Sequence, residues 1–271
     1  MIGAAVYRLV AGMDGKIQET QGRLLHAAFF QIIKSYSVEL AAMTHDDVRF
    51  KAFTVSELFP VNKVTHAGNY LSVKKGDSFN WRVTALNDEI LKAMMAVPEG
   101  YVLQAGPVSF KVEQVLTEES DGLGVVGLLD ENRLIAACLA VDKVQRISFE
   151  FISPVSFRSF QDDYPFPLPQ LIFGSVADKW NLAGMPVALD KDEVREFSSV
   201  LLPVSWKGQT KQVFLKKDRG VTGFIGNFTF NVSMLPKDMQ QLFLLLAQFS
   251  QFSGVGRLTG QGLGQTSITF R

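Results

Sequence analysis

The chain has a single cysteine, Cys138, in 271 residues. That excludes an intrachain disulfide and a cysteine-built metal site. Histidine is nearly as scarce, with only His26, His45 and His66. A histidine-rich metal centre is therefore not expected, nor is any cofactor. Net charge is absent as well: 27 basic residues balance 27 acidic ones, so the chain is not on average a basic nucleic-acid binder. No apolar run reaches the roughly 18 residues that a membrane helix needs, and no membrane partner is expected. Met1 to Arg8 reads as a strand and not as a signal peptide, because a basic start followed by an apolar stretch is missing. A cytoplasmic location fits these absences.

What remains is 47% hydrophobic and 20% charged, the composition of a globular protein with ample core material. The length allows one large domain or two small ones. Charge is patchy beneath its neutral sum. Lys207, Lys211, Lys216, Lys217 and Arg219 lie close together with Asp218 as the nearby acid, and Lys74, Lys75 and Arg82 form a second group. Each group reads either as a solvated hairpin or as a surface for phosphate.

Apolar periodicity divides the chain into two similar halves. Ala4 to Val10 alternates as a strand. Leu24, Leu25, Ala28, Phe29, Ile32 and Ile33 recur at helical spacing, and this helix is expected to run on through Val38, Leu40 and Ala41. Phe53 to Leu58 is a strand. Tyr70 to Val73 and Phe79 to Thr84 flank Lys75-Gly76-Asp77, which reads as a hairpin turn. Asn87 caps a helix over Asp88 to Met95. Val102 to Val115 is extended, and Leu134 to Ala140 is a further apolar run. The second half opens with a strand at Arg146 to Ile152. Pro167-Leu168-Pro169 then starts a helix through Phe173, Val176 and Trp180, as Pro is tolerated in a first helical turn. Val200 to Trp206 and Gln212 to Lys216 read as a hairpin around Lys207-Gly208. Phe224 to Val232 is a strand, and Met239 to Phe249 carries an apolar helix whose phenylalanines face a core. Both halves follow β-α-β-β-α-β, the ferredoxin-like pattern. The fold class is thus α+β, two tandem ferredoxin-like domains over 1–142 and 143–271.

Five glycines crowd the end of the chain: Gly254, Gly256, Gly260, Gly262 and Gly264, with Arg257 among them. The spacing fits neither a P-loop nor a dinucleotide fingerprint, and the order is helix, loop, strand. Two readings stand. Free N–H groups in such a loop form a concave anion site, or the glycines serve a tight turn by their shape alone.

Three segments, in order, carry a family resemblance. They are Phe53-Thr54-Val55-Ser56-Glu57-Leu58 shortly after His45, Phe149 to Arg158, and the run from Gly254 to Gly264. With them the chain resembles the CRISPR-associated repeat-processing endoribonucleases of the RAMP superfamily, over nearly its whole length. The resemblance implies metal-independent cleavage of CRISPR repeat RNA, in which the ribose 2′-OH attacks the adjacent phosphate and leaves a 2′,3′-cyclic phosphate and a 5′-OH. That reaction needs a base, an acid and positive charge near the phosphorus.

His45 matches the family's catalytic histidine, and Lys51 matches a lysine that many members place a few residues later. Some members use a tyrosine on the preceding helix; the matching residue is Phe30, which has no hydroxyl. His26, one helical turn before Phe30, either shares the proton work with His45 or is a partly buried histidine bonded to backbone. His66 reads as exposed and idle, and Tyr36 lies on another helix face. The resemblance makes Gly254, Gly256, Arg257, Gly260, Gly262, Gly264, Arg158, Lys207, Lys211, Lys216 and Lys217 candidate RNA contacts. The implied partner is repeat RNA, with hand-off to an effector complex, from a monomer or homodimer. Two alternatives share the fold: a RAMP-type subunit that holds guide RNA without cutting, and an unrelated ferredoxin-like RNA binder. The second lacks an RNP-type aromatic motif.

Overall fold

The structure, a computed structural model, describes residues 1–47, 49–118, 124–159, 162–216 and 219–271. Two compact units emerge. One comprises Ile2–Leu128 together with Gly260–Gly262; the other comprises Met1, Leu129–Thr259 and Leu263–Arg271. Among the described residues no helix is long and apolar enough to cross a membrane.

The first unit runs β1 (Ile2–Ala11), β2 (Gly15–Gln18), α1 (Gly22–Tyr36), α2 (Val38–Asp46), β3 (Phe53–Pro60), β4 (Thr65–Ala67), β5 (Tyr70–Val73), β6 (Ser78–Ala85), α3 (Asp88–Met95), β7 (Val102–Ala105), β8 (Val108–Leu116) and β9 (Gly127–Leu129). Its main sheet has the order β3-β6-β1-β8-β7, with β9 beside β1, and β2-β5-β4 form a small separate sheet. Leu25, Ala28, Phe29, Ile32 and Ile33 are buried on one face of α1. They pack with Tyr7, Phe53, Phe79, Trp81 and Phe110 in one core.

The expected long first helix is two helices. Ser37 takes an extended backbone, and its hydroxyl accepts from Leu40 N–H at 3.1 Å. It thereby ends α1 and caps α2, the competition with helical backbone at which serine excels. A second correction concerns Lys75-Gly76-Asp77. This is a turn, with Gly76 at φ +93°, but the strands on either side join different sheets. The apolar run Leu134 to Ala140 is mostly helical. Asn87 caps α3 as expected, accepting from Ile90 N–H at 2.9 Å.

The second unit contains α4 (Glu131–Leu139), β10 (Arg146–Val155), β11 (Phe157–Ser159), β12 (Asp162–Tyr164), α5 (Pro169–Leu182), α6 (Lys191–Ser198), β13 (Leu202–Lys216), β14 (Arg219–Asn231), α7 (Lys237–Ser253) and β15 (Thr266–Phe270). The sheet order β13-β14-β10-β15 repeats the arrangement β3-β6-β1-β8 of the first unit. In both, the strand after the first helix lies at an edge and the last strand flanks the first, which is ferredoxin-like topology. Phe149, Phe173, Phe230 and Phe243 are fully buried. Phe173 and Phe243 join α5 to α7 with ring centroids 4.7 Å apart.

The expected turn at Lys207-Gly208 is absent. Leu202–Lys216 is one continuous strand, and Gly208 faces Gly226 of β14 in register. A Cβ on Gly208 would meet the carbonyl oxygen of Ile225 at 2.3 Å. This glycine allows close approach of two strands, a role that punctuation rules mistake for a turn.

Candidate active site

Glu57 and Gln21 fix the start of α1. The Glu57 carboxylate accepts from the backbone N–H groups of Gln21 at 2.5 Å and Gly22 at 3.2 Å. Gln21 Oε1 accepts in return from Leu58 N–H at 3.0 Å. A strand carboxylate thus does the work of a helix cap, satisfying two of the free donors at the N-terminus. Nothing in the alternation of Phe53 to Leu58 marks Glu57 for this role. Gly22 has no room for a side chain, since a Cβ there would fall 1.9 Å from the carbonyl oxygen of Gln261. The segment Gly260–Gly262 is therefore seated directly on the first turn of α1.

One turn further along α1, His26 Nδ1 lies 2.6 Å from the carbonyl oxygen of Gly260. A carbonyl only accepts, so Nδ1 carries the hydrogen and Nε2 keeps its lone pair. The imidazole stacks on Phe53 at 5.3 Å and meets the edge of Phe30 at 5.0 Å. Burial holds its pKa below the ordinary histidine value, and the positive charge of Lys51 pushes the same way against the Gly260 hydrogen bond.

Phe30 is the hub that the other two candidates share. Its ring lies 6.1 Å from that of His45, edge to face, and the Lys51 ammonium sits 5.8 Å from its centroid. The structure thus gathers His26, His45 and Lys51 around one phenyl ring. His45, in the last turn of α2, is 79% exposed, with Nδ1 3.3 Å from Asp46 Oδ1. Lys51 donates to three carbonyl oxygens at the end of α2: Thr44 at 2.6 Å, His45 at 2.8 Å and Asp47 at 2.6 Å. An ammonium has three donors, and all are occupied here. Lys51 is a cap on the negative end of α2, and desolvation lowers its pKa. His66 is exposed on β4.

The second unit gives the other glycines a mainly architectural role. Gly254, Gly256 and Gly264 have φ of +63°, +74° and +68°, which L side chains rarely adopt. The backbone amides are largely engaged. Val255 donates to Gly264 O at 2.8 Å, Arg257 to Ser156 O at 2.9 Å and Gly264 to Pro154 O at 3.0 Å. Gly256 donates to Ser175 Oγ at 3.0 Å. These donors are not open to an anion, so here the shape reading of the loop prevails over the cradle reading. The Arg257 guanidinium pairs with Asp163 of β12, a partner that sequence spacing gives no means of finding. The Lys179 amine donates to Gly254 O at 2.9 Å, and burial pushes its pKa down to about 7.

Of the basic candidates, Lys207 and Lys211 are exposed along β13, and Arg158 is exposed on β11 across from Asp163 in register. Lys216 ends β13. Lys217 lies outside the described residues.

A family model described as CRISPR-associated endoribonuclease Cas6 matches residues 149–266, and one for the CRISPR Cas6 N-terminal domain matches residues 4–98. A curated CRISPR-associated endoribonuclease Cas6 of Mycobacterium tuberculosis is 22% identical over 214 residues, covering 77% of this chain and 64% of the relative. The chain thus spans less than two thirds of the curated relative it matches. Among solved structures, a Thermus thermophilus Cas6 in a product complex is 26% identical with a TM-score of 0.77, covering 99% of this chain and 100% of that one. A second Cas6, in a substrate mimic complex, is 21% identical with a TM-score of 0.70, covering 99% of this chain and 100% of that one.

Proposed function

Because the chain belongs to the Cas6 family of CRISPR-associated endoribonucleases, we propose that it binds CRISPR repeat RNA and cuts it without a metal. The grouping of His26, His45 and Lys51 around Phe30 carries this reading. His26 is the base: its Nε2 lone pair accepts the proton of the ribose 2′-OH at the cut. The 2′-oxygen then bonds to the adjacent phosphorus, and the bond from phosphorus to the 5′-oxygen breaks. His45, exposed in the last turn of α2, donates the proton that the leaving 5′-oxygen needs. The products are a 2′,3′-cyclic phosphate and a 5′-OH.

Lys51 acts at one remove. Its capping bonds hold the end of α2 that presents His45, and its charge adds to burial in lowering the His26 pKa, which favours the neutral, proton-accepting form. The test is incubation of repeat RNA with the protein in excess EDTA, with end-group analysis of the fragments. Cleavage to a cyclic phosphate supports the proposal, and a 2′-deoxy substitution at the cut should abolish it. Tight binding without cleavage would identify a guide-RNA-holding subunit instead.

A further inference from the structure

The outer face of the second sheet carries hydroxyl and guanidinium side chains in adjacent rows. Arg146, Ser148 and Glu150 alternate with the buried Ile147, Phe149 and Phe151 along β10, so they share the face turned away from that core. Register places Thr269, Ser148, Thr229 and Ser205 in one row across β15, β10, β14 and β13. Four hydroxyls therefore cross the whole sheet, and two of them, on Ser148 and Thr229, bond to each other at 2.8 Å.

The next row places two cations side by side. Arg146 N–H donates to Arg271 O at 3.0 Å, and Arg271 N–H donates to Arg146 O at 3.1 Å. Such reciprocal bonding makes the two residues direct cross-strand neighbours, where like charges repel. Neither guanidinium has an ion-pair partner among the described residues. The two arginines, the four hydroxyl residues and Phe270 line a basin of about 360 Å³. Glu150 stands one row beyond the hydroxyls, opposite Ser267 and Asn227, which leaves the arginine side as the cationic one.

We propose that this face is a second RNA site, which takes single-stranded RNA by its phosphodiester backbone. The guanidiniums offer ten N–H donors in planar forks suited to phosphate oxygens. The hydroxyls donate to phosphate or accept from a ribose 2′-OH. The two rows across the strands contain no aromatic side chain, so recognition there is of backbone and not of base identity. The site rests on the reading of the chain as an RNA-binding protein, but draws only on residues outside the His26 cluster.

The test uses the full chain and a labelled oligouridine of about a dozen nucleotides, comparable to the span of a single-strand groove. The Arg146→Gln/Arg271→Gln double variant should bind it about tenfold more weakly at moderate salt. The slope of log affinity against log salt should flatten by about 1.4, at roughly 0.7 per lost phosphate contact on a single strand. Unchanged affinity and slope in a variant that melts like wild type would overturn the site. So would displacement of the oligouridine by inorganic phosphate beyond that caused by sodium chloride at equal ionic strength, since the site would then serve a free phosphate. Cleavage of repeat RNA by the wild-type protein is scored separately. Its failure would remove the endoribonuclease reading and leave the oligouridine result to decide this site.

Discussion

His26 and Gly260, separated by 234 positions in sequence, are joined by a 2.6 Å hydrogen bond that fixes which imidazole nitrogen holds the proton. His26→Ala should lower single-turnover cleavage of repeat RNA by about 10²- to 10⁴-fold, the usual contribution of a general base, with affinity for RNA retained. His26→Asn is the sharper variant. Its amide N–H can still reach the Gly260 carbonyl, so thermal stability should return toward wild type while the rate stays low. Recovery of rate in that variant would assign His26 an anchoring role only.

The pH profile should carry the same signature. A base with a lowered pKa stays unprotonated to lower pH, so the acid limb of the single-turnover rate should fall below the ordinary histidine value of about 6.5. Lys51 is among the groups that depress His26. Removing its charge in Lys51→Met should raise the His26 pKa and move the acid limb upward. A limb that stays in place would detach Lys51 from the proton chemistry.

Lys51→Met also opens the end of α2. Loss of three charge-assisted bonds to Thr44, His45 and Asp47 should cost about 1–3 kcal/mol in a denaturant titration, given their partial exposure. Amide exchange should speed up in the last turn of α2 before it does in α1.

Gly264→Ala tests the glycine tail as architecture. Its φ is +68°, and a Cβ would meet the Val255 carbonyl oxygen at 1.9 Å. Positive φ and overpacking together should destabilise the protein by about 2–4 kcal/mol. If stability holds and only RNA affinity falls, the loop serves the ligand rather than the fold.

Lys179 predicts a second pH effect, on stability. Its pKa in the folded chain is pushed down to about 7, against about 10.4 when unfolded. Between those values the unfolded chain binds a proton that the folded chain has released, so this group makes stability rise with pH there. Below pH 7 both states are protonated and the cost of burying the charge is felt in full. Denaturant midpoints compared between pH 7 and 10 should show that rise in wild type and its loss in Lys179→Met.

The two ferredoxin-like units were legible because their apolar periods are local. The α1 stripe from Leu25 to Ile33 and the alternation along β10 each specify their own element and buried face. Asn87 and Pro169 were readable for the same reason, since a cap and a first-turn proline act within a few residues. Ser37 was a local signal outweighed by the apolar pattern on both sides of it. Gly208 and the Lys75 turn misled because a glycine marks special backbone without saying whether a turn, a close strand or a change of sheet requires it. The site divides along the same line. His45 and Lys51 stand six residues apart and came from the resemblance, whereas the Gly260 acceptor for His26 and the Asp163 partner of Arg257 are long-range pairings. No residue spacing encodes such pairings; the topology creates them.

The placement of Gly260–Gly262 has a consequence for biosynthesis. These residues belong to the compact unit that Ile2–Leu128 otherwise build. A ribosome-bound chain can fold most of that unit early, yet His26 lacks its acceptor, and α1 its seated segment, until residues 260–262 have emerged. Synthesis itself therefore delays the assembled site, and a fragment ending at Leu128 should fold around an imidazole whose tautomer is no longer fixed by Gly260.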